Sequence, residues 1–221
     1  MKKPLVIFGA SSIAQLAHYY FTNDSEHEVV AFTVDSQYIN GSVFCGLPLV
    51  AFDDIAHKFP PDTHSLFIAL SYSKLNSIRK EKYLAGKELG YDLVSYISSK
   101  AAVFSKDMVG QNCFILEDNT IQPFVSIGNN VTLWSGNHIG HHSVIKDHSF
   151  IASHVVVSGG CEVGEQCFIG VNATLRDHIK IGDLCVIGAG ALLLRDAEPG
   201  GVYIGSATER SNVPSTKLRG I

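Results

Sequence analysis

The sequence has no long apolar run. Its most continuous apolar stretch near the start, Pro4 to Phe8, is five residues long. That is too short for a membrane span or a signal-peptide core, and no small-residue cleavage pattern follows it. The chain therefore reads as cytoplasmic. It also lacks a basic excess: the formal net charge of -4 excludes the electrostatic footprint of a nucleic-acid binder and a polybasic membrane patch. Cysteine is sparse and unpaired in pattern. Five cysteines, an odd number with no CxxC, argue against a disulfide framework and against a zinc knuckle. What is present is an ordinary globular composition, 46% hydrophobic and 17% charged, over 221 residues. That length suits one large domain or two small ones.

Residues 1–97 alternate strand and helix signals. Pro4–Phe8 reads as a buried parallel strand, and Gly9-Ala10-Ser11-Ser12 follows it. Ile13, Leu16, Ala17, Tyr20 and Phe21 then recur at helical spacing. A second strand fits Glu28 to Val34, ending at Asp35, and a third fits Leu66–Leu70. Helical sequence runs from about Ser73 to Leu89 and stops at Gly90. Leu93–Ile97 fits a last strand. This pattern predicts a small parallel, Rossmann-like sheet covered by helices.

The period changes near residue 100. Stepping by six from Val109 gives Ile115, Ile121, Ile127, Leu133, Ile139, Ile145, Ile151, Val157, Val163, Ile169, Leu175, Ile181, Ile187 and Leu193. One step back gives Val103. Were half of all residues aliphatic, the fifteen positions from Val109 to Leu193 would all be so about once in thirty thousand trials. Gly follows the aliphatic residue at 110, 128, 140, 164, 170, 182 and 188. Four residues after it, small or slim residues prevail, among them Cys113, Ser143, Ser149, Cys161, Cys167, Ala173 and Cys185. In a strand, residues i and i+4 share a face, so both classes point inward. Each hexad makes one flat side, about eighteen residues make one coil, and Gly or a polar residue takes the turn. No insertion interrupts the count, so no loop projects from residues 109–198. Four of the five cysteines fall on the small inward position and read as buried hydrophobes.

With these residues in place, the array resembles the hexapeptide-repeat acyltransferases. The whole chain is similar to the bacterial sugar acyltransferases of surface-glycan (O-antigen or capsule) synthesis, the nucleotide-sugar and sialic-acid O-acetyltransferase-like group. The resemblance implies an α/β N-terminal domain over 1–97 and a left-handed parallel β-helix with a C-terminal tail over 98–221. The left hand comes from the resemblance, since spacing alone does not give it. The resemblance also implies acetyl transfer from acetyl-CoA, a cosubstrate, to a sugar amine or hydroxyl, often on a nucleotide-linked amino-deoxy sugar. It implies a homotrimer with active sites between neighbouring helices.

Acyl transfer to an amine needs a base, donors for the developing oxyanion, and a thioester carbon held near the nitrogen. Histidine is the usual base at neutral pH. Six of the ten histidines lie in the array, and Ile139-Gly140-His141-His142 is the segment of interest. By the resemblance, the base follows the aliphatic residue by two positions, which is His141. An acidic residue usually comes next; here it is His142, which could assist. His142, His148 and His154 are six apart and so fall on successive sides, which argues against a metal site. His148, His154 and His178 read as polar surface or subunit-interface residues. His138 precedes Ile139, points outward, and either flanks the base on the sugar side or fills the interface.

Gly159-Gly160 lies late in its hexad. The resemblance places a backbone N–H against the acetyl carbonyl near Gly159; a tight corner alone would also account for it. A cofactor-contacting histidine of the family falls at Phe150 here, so that contact is absent or replaced. Gly170, Asn172, Ala189 and Arg195 are the expected CoA contacts along the later coils. In the first half, Gly9, Ser11 and Ser12 open a helix whose N–H groups suit a phosphate. The turn lacks GxGxxG, which counts against a dinucleotide dehydrogenase. Asp35 can accept bonds from ribose or base, and the loop from Ser71 to Asn76 can close over the sugar. Three readings stand: an N-acetyltransferase on a nucleotide-linked amino sugar, a sugar O-acetyltransferase, and a non-catalytic trimeric scaffold. None calls for a metal, nucleic acid or a membrane.

Overall fold

A computed structural model describes residues 3–104 and 106–217; the last four residues of the expected tail lie outside them. The first half begins with β1 (Lys3–Phe8), α1 (Ser12–Asn23) and β2 (His27–Val34). It continues through β3 (Val43–Phe44), β4 (Leu47–Ala51), α2 (Ile55–Lys58), β5 (Ser65–Ile68), α3 (Ser77–Glu88) and β6 (Asp92–Leu93). The sheet order is β3-β4-β2-β1-β5-β6, parallel throughout except for β3, which runs antiparallel to β4. Strand order reverses at β1. That is where α/β sheets open a crevice beyond their carboxyl ends. The β3–β4 hairpin was not foreseen. It turns on Cys45 and Gly46, both with positive φ (48° and 80°), as a two-residue hairpin loop requires.

The expected strand Leu93–Ile97 is two elements. Asp92–Leu93 closes the first sheet, while Tyr96–Ile97 pairs with Phe114–Ile115 and begins the β-helix. From there two-residue strands recur every six residues, and each pairs in parallel with the strand eighteen residues on. Three sheets result, and the coil winds left-handed. Only at the end does the count shorten: Val186 pairs with Val202, sixteen residues on. Inside, every aliphatic position from Ile115 to Leu193 is buried, together with Cys113, Cys161, Cys167 and Cys185.

The small inward residues share a hydrogen bond. The Ser143 and Ser149 hydroxyls donate to carbonyls fifteen residues on, at Ser158 and Gly164. The Cys113, Cys161 and Cys167 thiols make the same contact with Gly128, Arg176 and Gly182. Burial pushes the Cys113 thiol up to about 11 and the Cys167 thiol to about 12, so neither is a ready nucleophile.

Glycine does not make the turn of each hexad. From Asn112 to Gly190, the third residue after every aliphatic position has a positive φ. His142, His148, His154 and His178 all occupy this left-handed corner. The glycine two places earlier serves coil spacing instead. At Gly140, for example, a Cβ would lie 2.6 Å from the Gly159 nitrogen of the next coil.

The first half covers one sheet of the β-helix. Phe114 and Phe150 point outward from that sheet yet are buried, and Phe114 packs with Tyr96 against Phe21 and Phe67. α3 seats on the coil through Arg79, which is fully buried. Its guanidinium donates to Thr132 Oγ1, to Asn76 Oδ1, and to the carbonyls of His148 and Ser149. Among the described residues, no helix is long and apolar enough to cross a membrane.

Candidate active site

The coil has three corners. One carries Gln122-Pro123-Phe124, Gly140-His141-His142, Ser158-Gly159-Gly160 and Arg176-Asp177-His178, stacked at the eighteen-residue period. On this corner the His141 backbone N–H donates to Gln122 Oε1 at 2.8 Å, and its carbonyl accepts from the Gly160 N–H at 2.8 Å. Backbone contacts thus hold His141 from both neighbouring coils. The two imidazoles meet edge to face, Nδ1 to Nδ1 at 3.1 Å. One nitrogen must donate and the other accept. With His141 as donor, its Nε2 keeps a free lone pair. The His142 ring rests on Phe124, centroids 4.7 Å apart. Both histidines are exposed.

Gly159 lies against the His141 ring. A Cβ there would come within 2.8 Å of the His141 Cε1. Its N–H, however, donates to Asp177 Oδ1 of the following coil at 3.0 Å. The same bond recurs on another corner, from Asn129 to Asp147 and from Glu165 to Asp183, so it belongs to the coil architecture. The expected pairing of the Gly159 N–H with an acetyl carbonyl is corrected accordingly. This amide is already engaged, and the glycine's contribution is room for the ring.

Gly170, Asn172 and Ala189 lie on a different corner. The structure does not bring them to His141 within one chain. Gly170 is required by coil spacing, since a Cβ there would meet the Ala189 nitrogen at 2.6 Å. Asn172 is a left-handed corner residue, and it and Ala189 are exposed. His138 points outward from the sheet between Thr120 and Val156, beside the His141 corner.

A cavity of about 290 Å³ lies at the carboxyl ends of β1, β2 and β5. Phe8, Gly9, Ser11, Val34, Asp35, Tyr38, Leu70 and Ile78 line it. Three sequence candidates, Gly9, Ser11 and Asp35, thus come together there. Ser12 opens α1 beside them, and no acidic side chain occupies that helix's first turn. Gly9 is obligatory: φ is 132°, and a Cβ would sit 2.7 Å from the Ala69 carbonyl oxygen. Asp35 carries an ion pair the sequence did not announce, Oδ1 to Lys82 Nζ at 2.7 Å. Tyr38 was also missed.

Two expectations fail. The segment Ser71–Asn76 is no lid over a sugar, because it is docked on the coil. Tyr72 packs on Phe150 and Phe168, the Leu75 carbonyl accepts from Gln166 Nε2, and the buried Asn76 donates to the Cys167 carbonyl. Ser71 bonds Ser73 within that segment and does not line the cavity. His148 is not on the surface either. It is 5% exposed, packed against Tyr83 of α3 and hydrogen-bonded to Asn130. His154 and His178 are exposed, as expected, with their rings against Gly136 and Gly160 of the preceding coils.

Fold and corner together define a hexapeptide β-helix with an exposed histidine pair, joined to a small parallel-sheet unit. Residues 124–159 and 160–195 match the family model described as bacterial transferase hexapeptide (six repeats). The resemblance to hexapeptide-repeat proteins is thus supported by the repeat itself, and the fold by solved structures over nearly the whole chain. The acetyltransferase domain of PglB from Neisseria gonorrhoeae FA1090 is similar at 20% identity and a TM-score of 0.79, over 91% of this chain and 96% of that one. A mutant of perosamine N-acetyltransferase from Caulobacter crescentus, in complex with CoA and GDP-perosamine, is similar at 22% identity and 0.81, over 91% and 93%. WeeI from Acinetobacter baumannii AYE follows at 19% and 0.66, over 92% and 97%. At these identities the likeness establishes the shared fold.

Proposed function

We propose that the protein is an acetyl-CoA-dependent N-acetyltransferase acting on a nucleotide-linked amino-deoxy sugar of bacterial surface-glycan synthesis. The observation that carries this reading is the exposed His141–His142 pair on a corner with no side chain at Gly159. His141 is the base. Its Nδ1–H donates to His142 Nδ1, which leaves Nε2 to take the proton of the sugar ammonium. The amine nitrogen then forms the N–C bond to the thioester carbon. The C–S bond breaks and the CoA thiolate departs; the nitrogen loses two protons in all, one passing through His141 to that thiolate and the other to solvent.

Because Gly170, Asn172 and Ala189 lie on another corner, CoA along that corner meets a base supplied by a second copy of the chain. The reading therefore includes an oligomer, which by the resemblance is a homotrimer. The β1–β2–β5 cavity takes the nucleotide, with its phosphates at the first turn of α1, where unpaired backbone N–H groups suit an anion. The same base would serve O-acetylation, so the assay panel must hold hydroxy sugars as well as amino sugars.

The test is thiol release from acetyl-CoA against a panel of nucleotide amino sugars. His141→Ala should lose most turnover, about a hundredfold or more, with an unchanged melting temperature and assembly state. Silence of the wild type across the panel, with no CoA binding, would sink the enzyme reading. Wild-type turnover in His141→Ala would remove His141 as base.

A further inference from the structure

Resting on that reading, we infer that the nucleotide cavity selects guanine. Nothing in the hexapeptide repeat bears on the base, so the inference comes from the cavity wall alone. Of the side chains that line it, Asp35 is the single charged one. The rest are chiefly apolar or aromatic: Phe8, Val34, Tyr38, Leu70 and Ile78. Such walls suit the flat face of a base better than a ribose, and the exposed Tyr38 ring offers a stacking surface at the rim. A base lying there presents its hydrogen-bonding edge to Asp35.

The carboxylate is not free to swing. Lys82 holds Oδ1 at 2.7 Å, and that ammonium is fixed in turn by Glu81 and lies over the rings of Phe8 and Phe52. Both Asp35 oxygens keep lone pairs, and a carboxylate only accepts. The wall therefore offers two acceptors side by side, Asp35 Oδ1 and Asp35 Oδ2. Guanine presents the complement, with N1–H and the N2 amino group donating side by side. Uracil and thymine present one N–H between two carbonyl oxygens, so one oxygen would face a carboxylate oxygen. Adenine and cytosine each place a ring nitrogen lone pair next to their single donor group. Only guanine satisfies both carboxylate oxygens with no lone pair turned against them.

Titration calorimetry on the full-length protein with GDP, IDP, UDP, dTDP and ADP tests this without altering the fold. GDP should bind most tightly. IDP, which lacks only the N2 amino group, should bind about tenfold more weakly, and UDP and dTDP at least as weakly as IDP. Asp35→Asn should bring the series within about threefold of one another, because an amide offers one acceptor where two are needed. IDP binding as well as GDP, or UDP or dTDP binding as well or better, would overturn the guanine assignment while leaving the nucleotide-sugar reading in place. Full discrimination retained in Asp35→Asn would overturn the role given to Asp35. No binding of any nucleoside diphosphate would overturn the nucleotide-sugar reading itself, and this inference with it.

Discussion

Four of the six histidines on the coils owe their positions to backbone geometry. His142, His148, His154 and His178 occupy the left-handed corner, where Asn, His and Gly are tolerated better than bulky residues. Their six-residue spacing put His142, His148 and His154 on successive sides, and in the structure they lie on three separate corners, with His178 on that of His142. His141 is different. It precedes the corner residue, so no backbone demand explains an imidazole there, and its neighbour Gly159 has no side chain to crowd the ring. Gly159→Ala tests that pairing. The added methyl would come within 2.8 Å of His141 Cε1 and 2.9 Å of Nε2, the movable end of a side chain. Gly159 has no positive φ, so alanine brings no backbone strain. Turnover should fall about tenfold or more, because the base is displaced from its working position. The melting temperature should move by less than about 4 °C. Parallel loss of both would assign Gly159 to the coil alone.

At the scale of the coil, one number carried most of the information. A period of six fixed the inward aliphatic stack, the buried cysteines and the absence of insertions, because each strand repeats the same steric problem. The corner residue was not legible from that count, since glycine at the position after the aliphatic residue drew attention away from it. That glycine answers a different demand, the close approach of the next coil. Gly140→Ala separates the two roles. Here the added Cβ meets backbone, the Gly159 nitrogen and the Ser158 carbonyl carbon, both at 2.6 Å, and neither can rotate away. The substitution should destabilise the protein by about 1–3 kcal/mol, read by denaturant unfolding. An unchanged midpoint would show that the coils can separate at no cost. Stepping back by eighteen would also have found Pro123 and Phe124 beneath His141 and His142, with Gln122 one place before them. Lys82 was beyond any such step, because its partner Asp35 lies 47 residues away on another element.

The join between the two halves was the least legible part, for it depends on which sheet of the coil the first half covers. Its outward ladder of Phe114, Thr132 and Phe150 alternates with buried aliphatics in a way that a solvent-facing strand also would. Of the ionisable groups at this join, Arg79 and His148 set a prediction for the whole molecule. Arg79 is held by carbonyls and hydroxyls with no carboxylate among its partners, and burial lowers it to about 10, so it stays cationic at neutral pH. His148 beside it is lowered to about 4, by burial first and then by the Lys80 and Arg79 cations. Hydrogen bonding agrees. Asn112 donates to Asn130 Oδ1 at 2.9 Å, which turns the Asn130 amide nitrogen toward His148 Nδ1 at 3.0 Å, so that nitrogen must accept. A protonated imidazole could not. In the unfolded chain His148 titrates near its ordinary value of about 6.5. Between about 6.5 and 4 the unfolded state therefore binds a proton that the folded state refuses, so stability rises with pH through this window and is lost as pH falls through it. The loss from this residue amounts to at most about 3 kcal/mol. His148→Asn removes the titration, keeps a residue that accepts the left-handed corner, and extends the Asn112–Asn130 amide ladder by one rung. Its backbone carbonyl still receives Arg79. Urea unfolding of both proteins at pH 7 and pH 4.5 should show the wild type losing more stability on acidification than His148→Asn. Equal losses would place the acid sensitivity elsewhere, with His27 the next candidate, since burial lowers it too.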